Sequence, residues 1–458
     1  MTSTREEKGN IAASVREIVP APPANLGAQW RVCAALLAAW LTVLAFILPY
    51  DPDEAVYKII ATGIVHGKWP YHDLFDHKPP LIYLWYLPGG LGASIEFERV
   101  LAALMVAATL PVVALLARRW LSGRQASLAV VAYTLLMANP FMLAKANTEA
   151  FLLLPLLASL AVGSPVLAGA LLGIAVMTKP VAIVFAPVLV LLWRKDTWRV
   201  AIGGSLVCLA VSLPFLPIWR DYWDANVSFN LTYGHNLGYE NGLASLFIPN
   251  LVVLIGALPL WASALIGLFW QRRALLWLWL ACGVVSVKAT GLDWGHDYAL
   301  LAPPAALFAA IGLERILQRR AVALALGVVG ALVVALIVVV LPWSGARPQQ
   351  AMLDTIHTAK GEVYVLGDRT YLYAYADRQP ERRFFYSVPL VARRDWGEAM
   401  RQQLIACPPA LIVIPKHIVF PVDWEDDIKA IYTTQTEYDD GLVLTQPMVP
   451  CVGRDSPR

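Results

Sequence analysis

Long apolar runs recur along most of this chain, with short polar connections between them. A helix that crosses a bilayer needs about 20 apolar residues. Of the 458 residues, 58% are hydrophobic and 15% are charged, whereas a soluble domain is about half apolar and about a quarter charged. The sequence therefore predicts a polytopic membrane protein. Its net charge of +3 is too small to indicate a nucleic-acid partner.

The apolar runs predict about eleven transmembrane helices. They lie at residues 31–49, 97–117, 126–143, 149–163, 165–178, 181–193, 200–217, 243–269, 274–289, 298–313 and 321–342. The three runs between Glu149 and Trp193 are short, so we expect broken or tilted helices there.

The distribution of basic residues predicts the orientation, because cytoplasmic connections collect Lys and Arg. With the N-terminus inside, the cytoplasmic connections hold these basic residues: Arg118, Arg119, Arg124, Arg194, Lys195, Arg199, Arg272, Arg273, Arg315, Arg319 and Arg320. The outer connections hold scattered single ones: Lys145, Lys179, Arg220 and Lys288. We therefore predict a multi-pass protein of the cell (inner or plasma) membrane with a cytoplasmic N-terminus.

Three regions follow from this topology. Residues 1–30 are polar and predict a flexible cytoplasmic tail, and residues 31–342 form the transmembrane domain, whose first outer loop is 50–96. The predicted fold class is an all-α polytopic membrane protein, with interfacial helices in that loop and a small extracytoplasmic α/β domain at 343–458.

The C-terminal domain is predicted from a change in pattern. Its short apolar runs EVYVLG, RFFYS, ALIVIP and GLVLTQ are typical of strands, and DWGEAMRQQLIA is typical of an amphipathic helix. Cys407 and Cys451 lie in this domain and could pair if it is extracytoplasmic. Cys33, Cys208 and Cys282 lie in apolar runs, where cysteine is usually a small core residue.

The first polar connection reads PYDPDEAVYK, from Pro49 to Lys58. Asp51 suits a helix N-cap, Pro52 the first helical position, and Glu54 would complete a capping box. Helix-start chemistry alone therefore explains Asp51 and Glu54, but it does not explain Asp53.

The stretch that follows reads HGKWPYHDLFDHKPPLIYLWYLPGG. It is too polar to span a membrane, and its Trp and Tyr residues are typical of the membrane interface. Lys78 near its end is either a lysine that snorkels to the interface or a cation that meets a phosphate at headgroup depth.

These motifs resemble the first outer loop of the C-type (GT-C) glycosyltransferase superfamily. The resemblance is to bacterial relatives of protein O-mannosyltransferases and of lipid A aminoarabinose transferases, which take sugar from a polyprenyl-phosphate carrier. ERVLAAL, ANTEAF, GIAVMTKPVAIVFAP and GHDYALLAPP resemble later segments of the family in the same order, so the resemblance covers about residues 30–315.

The resemblance implies roles for the first loop. Asp53 aligns with the acidic residue that acts as the family's base, and Glu54 would orient Asp53, the acceptor or a metal. Lys78 would contact the carrier phosphate, with His77 as a neighbouring substrate-binding residue. Inverting transfer needs a carboxylate that accepts the acceptor's proton, which agrees with Asp53 as base.

The later segments supply further candidate substrate-binding residues. Lys179 is a second candidate for the phosphate, or a snorkelling lysine at the end of a span. Glu149 is a candidate second acidic residue of the site, or a residue in the first turn of a helix capped by Asn147 or Thr148. His296 and Tyr298 lie at the start of a span on the outer face, and a lone His there is as often structural. No spacing of metal ligands decides for or against a divalent cation.

The predicted function is transfer of a sugar from a polyprenyl-phosphate donor to a hydroxyl of a glycolipid, a cell-wall glycan or a protein. The predicted partners are the donor, the acceptor and membrane lipids. The alternative is a transporter or flippase of lipid-linked sugars, which should show inverted repeats and charges at the bilayer midplane. A third reading is a sensor in which Asp53 is dispensable.

Overall fold

The computed structural model describes residues 28–143, 145–231, 251–289, 294–322, 324, 327–330, 332, 347–416, 418, 421–448 and 451. Nearly all of the predicted tail at 1–30 and most of the predicted last span at 321–342 lie outside these residues.

Contacts divide the chain into two compact units, which are described separately. The helix unit takes its residues from Met1–Ile47, Arg99–Val211 and Leu246–Trp343. The loop–sheet unit takes its residues from Leu48–Glu98, Ser212–Ser245 and Ser344–Arg458. The domain boundaries drawn from the sequence stay a prediction.

The helices of the described residues are numbered in chain order. The first ten are α1 (Gln29–Ile47), α2 (Pro52–Val65), α3 (Leu81–Trp85), α4 (Leu87–Gly90), α5 (Ile95–Trp120), α6 (Gly123–Met137), α7 (Pro140–Leu143), α8 (Thr148–Ala161), α9 (Pro165–Val176) and α10 (Ala186–Leu192). The next six are α11 (Thr197–Ser212), α12 (Trp219–Trp223), α13 (Leu251–Ile255), α14 (Leu258–Leu268), α15 (Ala274–Lys288) and α16 (Ala302–Ile316). The C-terminal helices are α17 (Gln350–Thr358), α18 (Tyr371–Tyr375), α19 (Ser387–Ala392), α20 (Arg394–Ala406) and α21 (Glu425–Ala430).

Shorter helical turns join some of these helices. They are 3-10 helices at Pro180–Phe185, Leu213–Ile218 and Gly295–Leu300, and a π-helical turn at Asp224–Ser228.

Within the described residues, three helices are long and apolar enough to cross a membrane by length and composition. They are Gln29–Ile47, Glu96–Trp120 and the continuous run Thr197–Leu231. Other predicted spans, including the three between Glu149 and Trp193, coincide with apolar helices of 10–17 residues. Pro165 and Pro180 begin new helices there, because proline fits the first helical position but not the interior. The count of about eleven spans is therefore not confirmed.

Glycines allow close approach of helix backbones within the helix unit. A Cβ atom on Gly169 of α9 would lie 1.9 Å from the Val200 carbonyl oxygen of α11, and one on Gly203 would lie 2.0 Å from the Val166 carbonyl oxygen. Helices in membranes pack in this way when small residues line their interface. The α9–α11 contact therefore depends on glycine at both positions.

The loop–sheet unit contains a four-stranded sheet in the order β1-β2-β4-β3. Its strands are β1 (Val363–Val365), β2 (Leu411–Pro415), β3 (Tyr432–Tyr438) and β4 (Gly441–Pro447). β1 pairs with β2 in parallel, whereas β4 pairs antiparallel with both β2 and β3. Helix α20 covers the sheet through buried Met400 and Leu404.

Comparison with the sequence-based elements gives one wrong strand and several elements that were not predicted, namely β3 and the helices α17, α18, α19 and α21. The strands predicted in EVYVLG, ALIVIP and GLVLTQ are confirmed as β1, β2 and β4, and the amphipathic helix is confirmed as α20. RFFYS is not a strand. Its Arg383 carbonyl oxygen accepts a hydrogen bond from the Phe75 amide, and its Ser387 amide donates one to the Gly367 carbonyl oxygen. The sequence analysis missed β3, an edge strand with mostly polar residues.

Cys407 and Cys451 form a disulfide, which joins the residue after α20 to the residues beyond β4. The pairing considered from the sequence is therefore confirmed in the structure. Cys33, Cys208 and Cys282 are unpaired and lie in α1, α11 and α15. Disulfides persist in oxidising compartments, so the bond agrees with an extracytoplasmic C-terminal segment.

Candidate functional site

The first group of candidate residues lies at the start of α2. Asp51 is the N-cap, and its side chain accepts a hydrogen bond from the Asp53 amide at 3.1 Å. The Glu54 carboxylate accepts one from the Asp51 amide at 2.9 Å, which completes a capping box. Helix-start chemistry is thus confirmed for Asp51 and Glu54, while Asp53 is half-buried on the same first turn.

Side chains of the C-terminal segment fix the backbone around this turn. The Thr370 hydroxyl donates to the Pro52 carbonyl oxygen at 2.7 Å, and the Tyr50 amide donates to the Tyr375 hydroxyl at 3.0 Å. Tyr50 and Pro52 both precede Asp53 in the chain. Residues more than 300 positions away, which were not identified from the sequence, therefore help to fix the turn that carries Asp53.

The second group surrounds Lys78. Its ammonium lies 2.6 Å from Nε2 of His77, so the structure brings these two predicted residues together. Nδ1 of His77 lies 3.2 Å from Oδ1 of Asp76. Lys78 is half-buried and His77 is buried, with 7% of its surface exposed.

Asp76 is a further functional candidate that the sequence analysis did not select. It is buried and accepts hydrogen bonds from the Tyr83 hydroxyl at 2.9 Å and the Tyr386 hydroxyl at 3.0 Å. Burial raises the pKa of this carboxyl, but hydrogen bonds from His77 and the charge of Lys78 outweigh burial and lower the pKa to about 2. In the sequence, Asp76 is distinguished only by its place between the aromatic Phe75 and His77.

The third group lies in the helix unit. The Lys179 ammonium contacts the Glu149 carboxylate and lies 2.6 Å from Oδ1 of Asp297. Glu149 and Asp297 are fully buried, and Lys179 is 7% exposed. A snorkelling lysine would reach water with its ammonium, so that interpretation of Lys179 is wrong.

The contacts around Glu149 bear on the two interpretations considered for it. Asn147 is the N-cap of α8, but its side chain makes no capping hydrogen bond; its Nδ2 instead lies 3.2 Å from Nδ1 of His296. The Thr148 hydroxyl donates to Oε2 of Glu149 at 3.0 Å. Glu149 thus occupies the first turn of α8, yet its carboxylate serves the contact with Lys179.

His296 and Tyr298 lie on one 3-10 turn, Gly295–Leu300, with different surroundings. His296 is half-buried beside Asn147, whereas Tyr298 is buried and its ring meets the Trp261 ring edge-on at 6.4 Å. Asp297 lies between them and was not among the predicted substrate-binding residues. In the structure it is the residue of this turn that contacts Lys179.

Glu149, His296 and Asp297 also form a candidate metal-binding group. Each offers one ligand atom, and these atoms lie within 4.8 Å of one another. Two carboxylates and an imidazole suit a divalent cation. The residues fit such an ion by chemical type, but the Lys179 ammonium already contacts both carboxylates and would have to yield to it.

Sequence comparisons identify no relative: no protein-family model matches the chain, and no curated protein matches it. Comparison with solved structures does find similar folds. The crystal structure of ArnT from Cupriavidus metallidurans bound to undecaprenyl phosphate is similar, with a TM-score of 0.61 and 16% sequence identity over 91% of this chain and 98% of that chain. The apo crystal structure of the same ArnT has a TM-score of 0.56 and 14% identity, over 91% and 97% of the two chains.

A third similar structure is the archaeal oligosaccharyltransferase AglB from Archaeoglobus fulgidus, in complex with an inhibitory peptide and a dolichol-phosphate. Its TM-score is 0.52, with 13% identity over 84% of this chain and 69% of that chain. At such identities the likeness is one of fold. The chain therefore has an ArnT-like fold, which agrees with the resemblance described for its sequence motifs.

Proposed function

We propose that this protein transfers a sugar from a polyprenyl-phosphate carrier to a hydroxyl acceptor on the outer face of the membrane, with inversion at the anomeric carbon. The observation that carries the proposal is the likeness to ArnT along nearly the whole of both chains, together with the undecaprenyl phosphate bound to that ArnT. Undecaprenyl phosphate is a polyprenyl phosphate, the carrier class that the sequence motifs predict.

In the proposed reaction Asp53 is the general base. Its carboxylate takes the proton of the acceptor hydroxyl while the hydroxyl oxygen bonds to the anomeric carbon. The bond from that carbon to the carrier oxygen breaks on the opposite side, and polyprenyl phosphate leaves with the electron pair. A phosphate is a fair leaving group, so the reaction does not require a strong general acid. Glu54 contributes through the capping box that fixes the turn carrying Asp53.

Lys78 is the proposed contact for the carrier phosphate. An ammonium group serves as a point charge for phosphate oxygens, and His77 occupies one of its three donor positions. The remaining donors can meet a phosphate oxygen and water. This arrangement supports donor binding by Lys78, with His77 as its partner.

Glu149, Lys179, His296 and Tyr298 are proposed substrate-binding residues of the helix unit. Because two buried carboxylates contact Lys179, we assign it first to charge compensation and only second to a phosphate. A divalent cation, when bound, would be held by Glu149, His296 and Asp297 and would supply a Lewis acid for phosphate oxygens.

The direct test incubates the purified full-length protein with a panel of radiolabelled polyprenyl-phosphate sugars, including mannose, arabinose, glucose and galacturonic acid carriers. We expect one of them to bind and to be slowly hydrolysed, and to give a glycosylated product when glycolipid, cell-wall glycan or protein acceptors are added. Lys78→Ala should raise the KM for the donor.

The result that contradicts the proposal comes from the same protein in liposomes. A transporter would carry the intact lipid-linked sugar across the bilayer without consuming it. Movement of a donor across the bilayer with no hydrolysis and no product would contradict the proposed enzyme and support a transporter.

A further inference from the structure

Asp76 lies at the centre of a set of contacts that reaches Lys78. Its Oδ1 accepts hydrogen bonds from the His77 amide at 2.7 Å and from the Tyr386 hydroxyl at 3.0 Å. Its Oδ2 accepts from the Tyr83 hydroxyl at 2.9 Å. With 2% of its surface exposed, this carboxylate has little access to water and depends on these donors.

The neighbouring imidazole links Asp76 to the lysine. A lysine ammonium has donors and no acceptor, so Nε2 of His77 must accept the hydrogen bond from Lys78. The ring proton then lies on Nδ1, which faces Oδ1 of Asp76 at 3.2 Å. A carboxylate beside one ring nitrogen selects the tautomer in which that nitrogen carries the proton.

The backbone and the ring on either side are fixed as well. The Lys78 carbonyl oxygen lies 2.9 Å from the Tyr71 hydroxyl and 3.0 Å from the Tyr83 hydroxyl. Nδ2 of Asn230 donates to the His77 carbonyl oxygen at 2.7 Å, and the Phe229 ring lies 5.3 Å from the imidazole. The backbone of Lys78 is therefore fixed, and its side chain remains mobile except where the ammonium bonds to His77.

We propose that Asp76 is a positioning residue that holds the Lys78 ammonium, through His77, where the carrier phosphate binds. The role of the phosphate rests on the proposed function, whereas the Asp76–His77–Lys78 arrangement does not. Through its hydrogen bond to Asp76, Tyr386 gives the C-terminal segment a part in donor binding.

A purely structural Asp76 makes a different prediction. Its replacement would then lower stability and the amount of folded protein, with no particular effect on the Lys78 side chain. Asp76→Asn keeps the size of the side chain and one acceptor oxygen, which can still serve the Tyr386 hydroxyl. The amide nitrogen that replaces Oδ2 can donate to the Tyr83 hydroxyl, and the negative charge beside Nδ1 of His77 is removed. Comparison of lysine reactivity with donor kinetics separates the two cases.

The first experiment measures the chemical reactivity of Lys78 without any donor. Purified full-length protein is labelled with a limiting acylating reagent, and the rate at Lys78 is compared by mass spectrometry with the rate at Lys68. Lys68 is a half-buried lysine of the same loop whose ammonium donates to the Pro380 carbonyl oxygen at 3.1 Å. We expect Asp76→Asn and His77→Leu to change the Lys78 to Lys68 ratio about threefold or more, because His77→Leu removes the acceptor of the Lys78 ammonium and Asp76→Asn removes the negative charge beside Nδ1 of His77.

His77→Gln is the matched control, since its side-chain amide oxygen can accept at the position of Nε2. It should restore a ratio close to that of the unchanged protein. An unchanged ratio in Asp76→Asn would overturn the proposal, whatever His77→Leu does.

The second experiment measures donor kinetics. Tyr386→Phe and Asp76→Asn should raise the KM for the polyprenyl-phosphate sugar, about tenfold for Asp76→Asn, and should leave kcat nearly unchanged. Tyr432→Phe is the control, because its buried hydroxyl donates to the Pro409 carbonyl oxygen in the same segment and not to Asp76. It should leave the donor KM unchanged.

The two experiments separate the possible failures. If Lys78→Ala left the donor KM unchanged while the labelling ratio still responded to Asp76→Asn, the phosphate role of Lys78 would fail and the positioning role would stand. If Tyr386→Phe and Tyr432→Phe changed the donor KM equally, the role of Tyr386 would be wrong.

Discussion

The Thr370 hydroxyl donates a hydrogen bond to the Pro52 carbonyl oxygen, 2.7 Å away, although 318 positions separate the two residues. Thr370 is fully buried, and Pro52 is the first residue of α2, directly before Asp53. The C-terminal segment therefore helps to fix the turn that carries the proposed base. Since both residues lie in the loop–sheet unit, removal of this bond should affect both local stability and catalysis.

The first prediction concerns Thr370→Val, which removes the hydroxyl and keeps the shape of the side chain. We expect a loss of about 1 kcal/mol in stability, because the Pro52 carbonyl oxygen loses a buried donor. Transfer should fall severalfold through kcat as Asp53 loses its fixed position. Thermal unfolding and donor kinetics measure the two effects. Thr358→Val, at an exposed hydroxyl bonded within α17, should change neither, and equal behaviour of both variants would contradict the account.

The second prediction concerns the charge balance around Lys179. Lys179→Ala leaves the buried Glu149 and Asp297 carboxylates without their shared cation. We expect this variant to bind Mn²⁺ at least about tenfold more tightly than the unchanged protein, because a divalent cation then meets no competing ammonium. Calorimetric titration of the purified protein gives the affinities.

The control for that titration is Lys179→Ala combined with Glu149→Gln, which also removes a candidate ligand. The added affinity should disappear in the double variant. Weaker Mn²⁺ binding in Lys179→Ala than in the unchanged protein would show that the lysine does not compete with a metal.

The third prediction is a pH dependence of stability that comes from Asp76. Its pKa of about 2 is lower than the ordinary value of 3.8, so the folded protein holds this carboxylate ionised more strongly than the unfolded chain does. The contribution is fully present above about pH 4 and is lost as the pH falls toward 2. The difference in Tm between the unchanged protein and Asp76→Asn should thus be equal at pH 7.5 and pH 5 and smaller at pH 3.

Asp427→Asn is the comparison for this measurement, since Asp427 makes an exposed ion pair with Arg401. Exposed pairs contribute about 0–1 kcal/mol, so its Tm should stay close to that of the unchanged protein. A Tm difference for Asp76→Asn that grew toward low pH would contradict the assigned direction of the pKa.

The fourth prediction concerns orientation in the membrane. With the native free cysteines replaced, Glu398→Cys should react with a membrane-impermeant maleimide from the outside of intact cells. Lys195→Cys should react only after permeabilisation. Both positions are exposed in the structure, so accessibility depends on the side of the membrane. Labelling of Lys195→Cys in intact cells would contradict the predicted topology.

Much of the local structure could be predicted from the sequence, because its causes are local. The capping box at Asp51 and Glu54 follows from residue types three positions apart. β1, β2 and β4 follow from short apolar runs, and α20 follows from its amphipathic period. The pairing of Cys407 with Cys451 was one of the alternatives that composition allowed.

The parts that could not be predicted depend on contacts between distant residues. The contact of Tyr386 with Asp76 joins residues 310 positions apart, and no pattern in either stretch points to the other. RFFYS has the composition of a strand, yet its Arg383 carbonyl oxygen and its Ser387 amide bond to separate loops. Likewise, the sequence shows that Lys179 ends an apolar run, but it does not show that its ammonium contacts two buried carboxylates.

The most direct measurement of the central claim is single-turnover transfer by Asp53→Asn. The amide cannot take a proton, so we expect the rate of transfer to fall by about 10²–10⁴-fold, with the affinity for the polyprenyl-phosphate donor nearly unchanged. Asp73→Asn neutralises another carboxylate of the same loop, whose Oδ2 accepts from the Trp69 amide, and should keep near-normal transfer. Transfer by Asp53→Asn at the rate of the unchanged protein, with the same inverted product, would contradict the assignment of Asp53 as the base.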